Sequence, residues 1–264
     1  MNNNLPDLME VAISAAMGAG RELLDRYGEQ FTTLSKESVR DIVSDADIAA
    51  ENTAIEIVRS HYPNARILSE EKGQTGDSQA DDYWIIDALD GSVNYVHQVP
   101  LFSVSIAYFR EGEVQASSIY VPLADDIYYA AKGLGAFKNK HGLRIQDLPL
   151  SQSLFAASFS GKNFDPDRRD QEFLAFGRIN DASCGCLRTG SAALNLAFLA
   201  EGKLNGCWGK ANKHWDIAAG LLLAQEAGAQ VQTSAVSQGG DRMNYIAASN
   251  SNFYFLSDHV RSLF

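Results

Sequence analysis

The sequence lacks any apolar run that approaches the roughly 18 residues needed to cross a membrane. Its first residues, from Met1 to Asp7, contain no basic group and no apolar core, so they do not resemble a secretory signal peptide. These two absences predict a protein that neither spans a membrane nor is exported. We therefore expect it in the cytoplasm.

Cysteine is also scarce. The three cysteines, Cys184, Cys186 and Cys207, are odd in number and form no disulfide framework, which fits a reducing compartment. Cys184 and Cys186 form a Cys-x-Cys pair, which would suggest zinc if a second pair accompanied it. No second ligand pair follows at the spacing of a zinc finger, so we interpret all three as ordinary thiols.

Basic residues are in the minority. The chain has 22 Lys and Arg against 33 Asp and Glu, which gives a formal net charge of −11. This balance argues against a dedicated nucleic-acid surface, and we expect no nucleic-acid partner. An anionic substrate would have to be attracted by a local feature such as bound metal ions.

The chain mixes helical and strand periodicities. The predicted helices are 5–27, 45–61 with Ser44 as N-cap, 167–177, 190–201, 214–227 and 250–263. The predicted strands are 30–34, 65–68, 83–87, 103–110, 114–121, 127–131, 135–138, 153–160, 204–208 and 244–248. The middle strands form a meander, which indicates an antiparallel or mixed sheet. The order predicts a layered α+β or α/β fold, in one domain spanning 1–264 with a candidate subdomain break near 140–152.

The most informative stretch is 83–94. An apolar strand ends there in two carboxylates, Asp87 and Asp90, and Gly91 and Ser92 follow at once. Two acids at the end of a buried strand are costly unless a cation lies between them. Hard divalent cations bind carboxylate and carbonyl oxygens, and the Gly-Ser step adds amides and a hydroxyl that suit a phosphate.

Further acids occur in similar settings. Glu70 and Glu71 follow an apolar strand, Asp47 and Glu51 share one face of a helix, and Asp216 opens an apolar helix. Taken singly, Asp47 and Asp216 are explained as well by helix N-termini, where an acid is stabilised by about 0.3–1 kcal/mol. Glu70 and Glu71 alone would suit a solvated loop edge. Taken together with the strand-end pair, these acids indicate a metal site.

Five segments, in order along the chain, resemble those of the inositol monophosphatase family. They are Asp41 to Asp47, Ile67 to Glu71, Trp84 to Ser92, Gly190 to Ala193 and Trp215 to Gly220. This family lies within the lithium-sensitive, magnesium-dependent phosphatases that include fructose-1,6-bisphosphatase. The resemblance covers most of the chain and implies a layered α-β-α-β-α sandwich, lithium sensitivity and a homodimer.

The resemblance also implies residue roles. Two or three Mg²⁺ would be held by Glu70, Asp87, the Leu89 carbonyl, Asp90 and Asp216. Two metals clamp the phosphate and activate a water for in-line attack on phosphorus. The catalytic residues would be Asp47, Glu70 and Ser92, with Ser92 orienting or deprotonating the water and Asp47 accepting the proton. The substrate-binding residues would be Leu89, Asp90, Gly91, Ser92, Arg188, Gly190, Ala192 and Asp216.

The chain departs from the family pattern at three positions. Ala88 stands where proline is usual, and Ser92 stands where threonine is usual but keeps the hydroxyl. Gly209, seven residues before Asp216, replaces a glutamate that grips an inositol hydroxyl in many inositol monophosphatases. The stretch 210–214 adds up to three positive charges, which are either surface residues or a preference for a second anionic group on the substrate.

The predicted function is a Mg²⁺-dependent phosphomonoesterase acting on inositol 1-phosphate or a related sugar phosphate. Other substrates of this class are a 3′-phosphonucleotide, fructose-1,6-bisphosphate and histidinol phosphate. A regulatory protein of the transcription antitermination type is the alternative from a different class, although every metal position is intact. A structural Ca²⁺ site is disfavoured, because the sequence has no EF-hand spacing.

Overall fold

The computed structural model describes residues 4–28, 33–35, 42–158, 166–236 and 242–264. The helices are α1 (Leu5–Asp25), α2 (Asp45–His61), α3 (Ser92–Val96), α4 (Pro166–Ala182), α5 (Ala192–Ala200), α6 (His214–Glu226) and α7 (Asn250–Val260). The strands are β1 (Thr33–Ser35), β2 (Ile42–Ser44), β3 (Ile67–Ser69), β4 (Gly73–Thr75), β5 (Tyr83–Asp90), β6 (Ser103–Arg110), β7 (Glu113–Val121), β8 (Asp126–Ala131), β9 (Gly135–Lys138), β10 (His141–Gly142), β11 (Leu154–Ser158), β12 (Gly185–Leu187), β13 (Gly206–Lys213), β14 (Gln230–Ala235) and β15 (Arg242–Ala248).

The first large sheet has eight strands in the order β10-β9-β8-β7-β6-β5-β3-β4. Strands β5 to β9 form the predicted antiparallel meander. Strand β3 is the exception, because it runs parallel to β5. Two neighbouring strands therefore end at the same edge of the sheet, and acids follow both of them.

The second large sheet has five strands in the order β12-β11-β13-β15-β14. Strand β11 is parallel to both of its neighbours, whereas β15 is antiparallel to β13 and β14. The two sheets are connected by residues 143–153. The organisation as one domain with a break near 140–152 stays a prediction.

Four apolar clusters set the order of the layers. One cluster joins α1 and α2 to one face of the first sheet, and a second joins the opposite face to α5 and α6. The other face of the α5–α6 pair packs on the second sheet, which α4 and α7 cover from outside. Burial of these faces is the main stabilising term. The layers are α-β-α-β-α, which confirms the predicted fold.

The predicted helices and strands have counterparts in the described ranges, with shifted ends. Strand β13 extends to Lys213 rather than 208, because polar residues past a bulge still pair with β15. Helix α4 continues to Ala182. Residues 29–32 and 159–160, within or beside predicted strands, lie outside the described residues. The prediction missed α3, β2, β4, β10, β12 and β14, which are short or polar and lack a strong period.

In the part of the chain that the structure describes, no helix has the length and apolarity needed to span a membrane.

A partly buried carboxylate clamps the first sheet to the end of α5. Glu201 accepts the Tyr128 hydroxyl at 2.5 Å and lies 3.0 Å from Nζ of Lys138 and 2.9 Å from Nζ of Lys203. Burial raises the pKa of Glu201, but the hydrogen bonds from these three groups lower it by more than burial raises it. The pKa of Glu201 is therefore below its ordinary value. The clamp holds α5 in place at the end opposite the site described below.

We expect Glu201→Gln to lower the free energy of unfolding by about 1–3 kcal/mol at neutral pH, because bonds to a charged acceptor are lost. The pKa of Glu201 is lower in the folded state. Its contribution is therefore complete at neutral pH and disappears as the pH falls through the folded pKa. Urea denaturation at neutral and acidic pH checks this.

The control is Glu113→Gln, which removes an exposed ion pair with Lys132. An exposed pair is screened by solvent and contributes little, so the free energy of unfolding of this variant should stay close to that of the parent. Equal losses in the two variants, or a Glu201→Gln effect that does not change with pH, would contradict the expectation.

Candidate active site

Strand β5 carries the acidic pair to the edge of the first sheet. Asp87 is 1% exposed, and the pairing of β5 with β6 shifts register between Asp87 and Asp90. The amide of Leu89 donates to Oδ1 of Asp87 over 3.0 Å. A bulge redirects side chains at a strand end, and here it brings the two carboxylates within electrostatic reach of each other.

Gly91 makes the turn from β5 into α3. Its φ is +96°, and a Cβ there would lie 2.8 Å from the carbonyl oxygen of Leu101. Glycine is therefore required both by the backbone conformation and by the available space. Ser92 follows as the first residue of α3.

Glu70 reaches the same edge from the neighbouring strand. In the parallel pairing of β3 with β5, Ser69 lies opposite Ile86. Glu70 and Asp87 are the next residues on the two strands, and the charge of Glu70 raises the pKa of Asp87. The sequence prediction that these two acids meet is therefore consistent with the strand register.

The N-termini of three longer helices carry or bind the remaining acids. Asp47 is the third residue of α2, and Asp216 is the third residue of α6, where it accepts the amide of Lys213 at 2.9 Å. Asp90 accepts the Ser191 hydroxyl and, at 2.7 Å, the amide of Ala193 at the start of α5. Positive helix ends stabilise acids at each of these places.

Burial dominates the electrostatics of the site. It raises the pKa of Asp87 well above the ordinary range, and four neighbouring charges raise it further: Glu70, Asp90, Asp216 and Asp47. Burial also raises the pKa of Asp216. The pKa of Asp90 rises to about 6 because of burial, although the donors at the start of α5 lower it. Like charges are thus held together out of water.

This donor set fits a hard divalent cation. Carboxylate oxygens are its preferred ligands, and positive charge would offset the repulsion that raises these pKa values. Within the described ranges, no three His, Cys, Asp or Glu side chains already form a metal-ligand group. The fit therefore rests on the chemistry of the donor set and on the effect of these acids on the pKa of Asp87.

A pocket of about 440 Å³ opens beside the acids. The predicted substrate-binding residues that line it are Asp90, Arg188, Gly190, Ala192 and Asp216. Leu89, Gly91 and Ser92 are not among the described lining residues. The structure thus places the C-terminal substrate residues around a cavity, with the β5–α3 turn next to it.

Sequence reasoning missed three polar residues of the pocket, Asn94, Ser158 and Thr189. Nδ2 of Asn94 donates to the carbonyls of Leu101 at 2.6 Å and Thr189 at 2.8 Å, which ties the β5–α3 region to the loop of Gly190. Thr189 is 95 residues away in the chain, so no local pattern signals this contact. The position of Asn94 just after Ser92 was the only available clue.

The basic residues before Trp215 do not present three charges to the pocket. Lys210 pairs with Glu172 of α4 at 3.0 Å, and both side chains are largely buried. Nζ of Lys213 lies 5.0 Å from the centre of the Trp215 ring. Burial lowers the pKa of His214. These basic residues therefore do not support the hypothesis of a second anion site in the pocket.

Gly209 lies behind the pocket wall. A Cβ at this position would be 2.1 Å from Oδ1 of Asn212 and 2.3 Å from Cε1 of Tyr245. Tyr245 is fully buried, and Asn212 lines the pocket. The space that a larger residue would need at 209 is filled by these two side chains. Among the described lining residues, Arg188 is the one basic group.

The fold and the site define a class: a layered α/β protein whose strand-end carboxylates meet helix N-termini beside a polar pocket. Residues 4–255 match the inositol monophosphatase family. The chain belongs to this family.

Relatives with different names are similar to this chain. The chain is 36% identical over 223 residues to the inositol-1-monophosphatase of Mesorhizobium japonicum, covering 84% of this chain and 83% of that protein. It is 33% identical over 252 residues to the Nus factor SuhB of Pseudomonas aeruginosa, covering 94% and 93%. The crystal structure of the extragenic suppressor protein SuhB from Bartonella henselae has a TM-score of 0.89 at 31% identity, covering 97% and 98%.

Proposed function

We propose that the chain is a Mg²⁺-dependent phosphomonoesterase that hydrolyses a small phosphate monoester. The observation that supports this is the group of five acids at one sheet edge, beside a polar pocket and several helix N-termini. Helix N-termini and free amides suit a phosphate, and the acids suit the metal that accompanies it. Membership of the inositol monophosphatase family supports the same chemistry.

The residues that would hold Mg²⁺ are Glu70, Asp87, the Leu89 carbonyl, Asp90 and Asp216. Bound there, Mg²⁺ would supply charge stabilisation and a more acidic water. Asp47, which is 4% exposed, would accept the proton, and the Ser92 hydroxyl would orient the water towards it. The amides of Gly91 and Ser92 would bind phosphate oxygens. Ser191 and the start of α5 keep Asp90 in its orientation.

The organic part of the substrate would contact the far side of the pocket. Arg188, Asn94, Ser158 and Asn212 line it and supply polar groups of the kind that recognise hydroxyls. Inositol 1-phosphate and related sugar phosphates are therefore the first candidates. Gly209 offers no carboxylate for an inositol hydroxyl, so we expect a broad preference among polyol phosphates. A homodimer in the cytoplasm stays a prediction.

A regulatory role in transcription antitermination is the second candidate. It is favoured by the 33% identity to a Nus factor across 94% of this chain. Against an exclusively regulatory role, the buried acids destabilise a protein that has no use for a cation. Both roles are compatible with one chain, so the decisive test concerns the enzymatic one.

The test is phosphate release from a panel of inositol, sugar and nucleotide phosphates with and without Mg²⁺. We expect Mg²⁺-dependent release that Asp90→Asn lowers by about 10²-fold or more, because the variant loses a metal-ligating charge. Asp170→Asn, at an exposed acid on α4, is the control and should match the parent. Full activity of Asp90→Asn would overturn the metal assignment. If no ester releases phosphate, the enzymatic proposal is wrong and the regulatory role remains as the candidate function.

A further inference from the structure

Glu51 is a fully buried acid outside the predicted site residues. It lies on α2, one turn after Asp47. Its Oε2 accepts the amide of Glu71 at 2.8 Å, and its Oε1 accepts the amide of Lys72 at 3.0 Å. The Ser69 hydroxyl also hydrogen-bonds to this carboxylate. Both carboxylate oxygens are therefore engaged with one short segment.

That segment carries Glu70. The residue before it and the two after it are all bonded to Glu51, so the backbone of Glu70 is fixed on both sides. The side chain of Lys72 adds a further bond to Asn52, the next residue of α2. Such anchoring leaves the direction of the Glu70 carboxylate as the main remaining freedom. The turn between β3 and β4 is in effect attached to α2.

The same helix presents Asp47 to the site. Helix α2 therefore sets two site residues at once, Asp47 directly and Glu70 through Glu51. A metal site requires its ligands to be held within fractions of an ångström, and groups that orient ligands are a recurrent part of such sites. Both carboxylate oxygens of Glu51 are used on the segment that carries Glu70, which favours a role in positioning that segment.

We propose that Glu51 is a positioning residue that holds Glu70 at a fixed distance from Asp47 for Mg²⁺ binding. This inference rests on the proposed function, because it takes Glu70 as a metal ligand. A glutamine at position 51 would keep one acceptor oxygen. Its side-chain NH2 group would stand in place of the second oxygen, so that two donors would face each other there. The turn would then lose one anchor, and the backbone of Glu70 would no longer be fixed on both sides.

The chain contains a matched control. Glu226, near the end of α6 away from Asp216, accepts the amides of Gly133 at 2.8 Å and Gly135 at 2.9 Å. Like Glu51, it anchors a hairpin through both carboxylate oxygens, here the one between β8 and β9, but it is only partly buried and holds no site residue. Glu226→Gln therefore removes the same kind of contact without touching the site.

The experiment measures Mg²⁺ binding by titration calorimetry, together with unfolding in urea and kinetics at saturating Mg²⁺. We expect Glu51→Gln to weaken Mg²⁺ binding by about 10–100-fold. The KM for the phosphoester at saturating Mg²⁺ should change little. Glu226→Gln should lose unfolding free energy and keep the parent Mg²⁺ affinity. Ser69→Ala, a milder change at the same carboxylate, should weaken Mg²⁺ binding in the same direction even if Glu51→Gln does not fold.

Glu70→Gln separates the two proposals. If it leaves Mg²⁺ binding unchanged, the metal site of the proposed function is wrong. If it weakens binding while Glu51→Gln and Ser69→Ala do not, only the positioning role is overturned. A loss of Mg²⁺ affinity in Glu226→Gln equal to that in Glu51→Gln would also overturn it, because the effect would then be one of general stability.

Discussion

Replacing Asp87 with asparagine is expected to remove almost all Mg²⁺-dependent phosphate release and to make the metal-free protein more stable. Asp87 is 1% exposed, and burial and four neighbouring acids raise its pKa. Asparagine removes the charge but keeps an oxygen for the amide of Leu89. We expect kcat/KM to fall by about 10²–10³-fold, since a metal ligand and its charge are lost.

The stability effect should reverse with metal. Without Mg²⁺, loss of one repelling charge should raise the free energy of unfolding by about 1–2 kcal/mol. At a Mg²⁺ concentration one hundredfold above its dissociation constant, the parent protein gains about 2.7 kcal/mol from binding, and the variant gains much less. Urea denaturation in EDTA and in excess Mg²⁺ should therefore rank the two proteins in opposite order.

Asp77→Asn provides the matched control for this prediction. Oδ1 of Asp77 accepts the amide of Gln79 at 3.0 Å, the same local bond that Asp87 makes with Leu89, but on an exposed loop. This variant should keep the parent's activity and its response to Mg²⁺. An Asp87→Asn protein that is less stable than the parent in EDTA would show that the acids do not repel one another as inferred.

Substituting alanine for Gly209 is expected to lower the free energy of unfolding by about 2–3 kcal/mol, since overpacking a rigid core typically costs about 1–3 kcal/mol. The added Cβ would lie 2.3 Å from a ring carbon of Tyr245 and 2.1 Å from Oδ1 of Asn212. The ring is fully buried and cannot move aside without repacking its neighbours. Because Asn212 lines the pocket, we also expect a higher KM for the best substrate.

Gly177→Ala in α4 is the control for this substitution. A Cβ at Gly177 would meet nothing within 4 Å, so alanine there should stabilise the helix by about 0.5–1 kcal/mol. If Gly209→Ala is as stable as the parent, the packing of Tyr245 is looser than the structure shows. The same crowding explains why Gly209→Glu alone would not restore an inositol contact, since the glutamate has no room beside Tyr245.

The strand-end acids were predictable because the features that define them are local. The apolar run of β5, the two acids and the glycine that follows lie within a few residues of one another. The pairing of Glu70 with Asp87 needed one further step, the parallel arrangement of β3 and β5. Asn94 was missed because its partner Thr189 is remote in sequence.

The basic residues before Trp215 are where the sequence left two interpretations open. Lys210 reads as a cation beside Asp216, yet its partner Glu172 comes from α4 on another layer. No period or spacing in the sequence signals this ion pair, because Lys210 lies on β13 and Glu172 lies on α4. The same holds for Glu51, which sequence reasoning placed beside Asp47 without its bonds to the β3–β4 turn.

The sequence by itself determined the family, the layered fold class and the acids that we propose as metal ligands, because each depends on the order of residues along a strand or helix. Tertiary structure alone decided which groups line the pocket, which lysines are neutralised and how the segment that carries Glu70 is held. Those properties arise from contacts between segments far apart in the chain, and they depend on packing rather than on pattern.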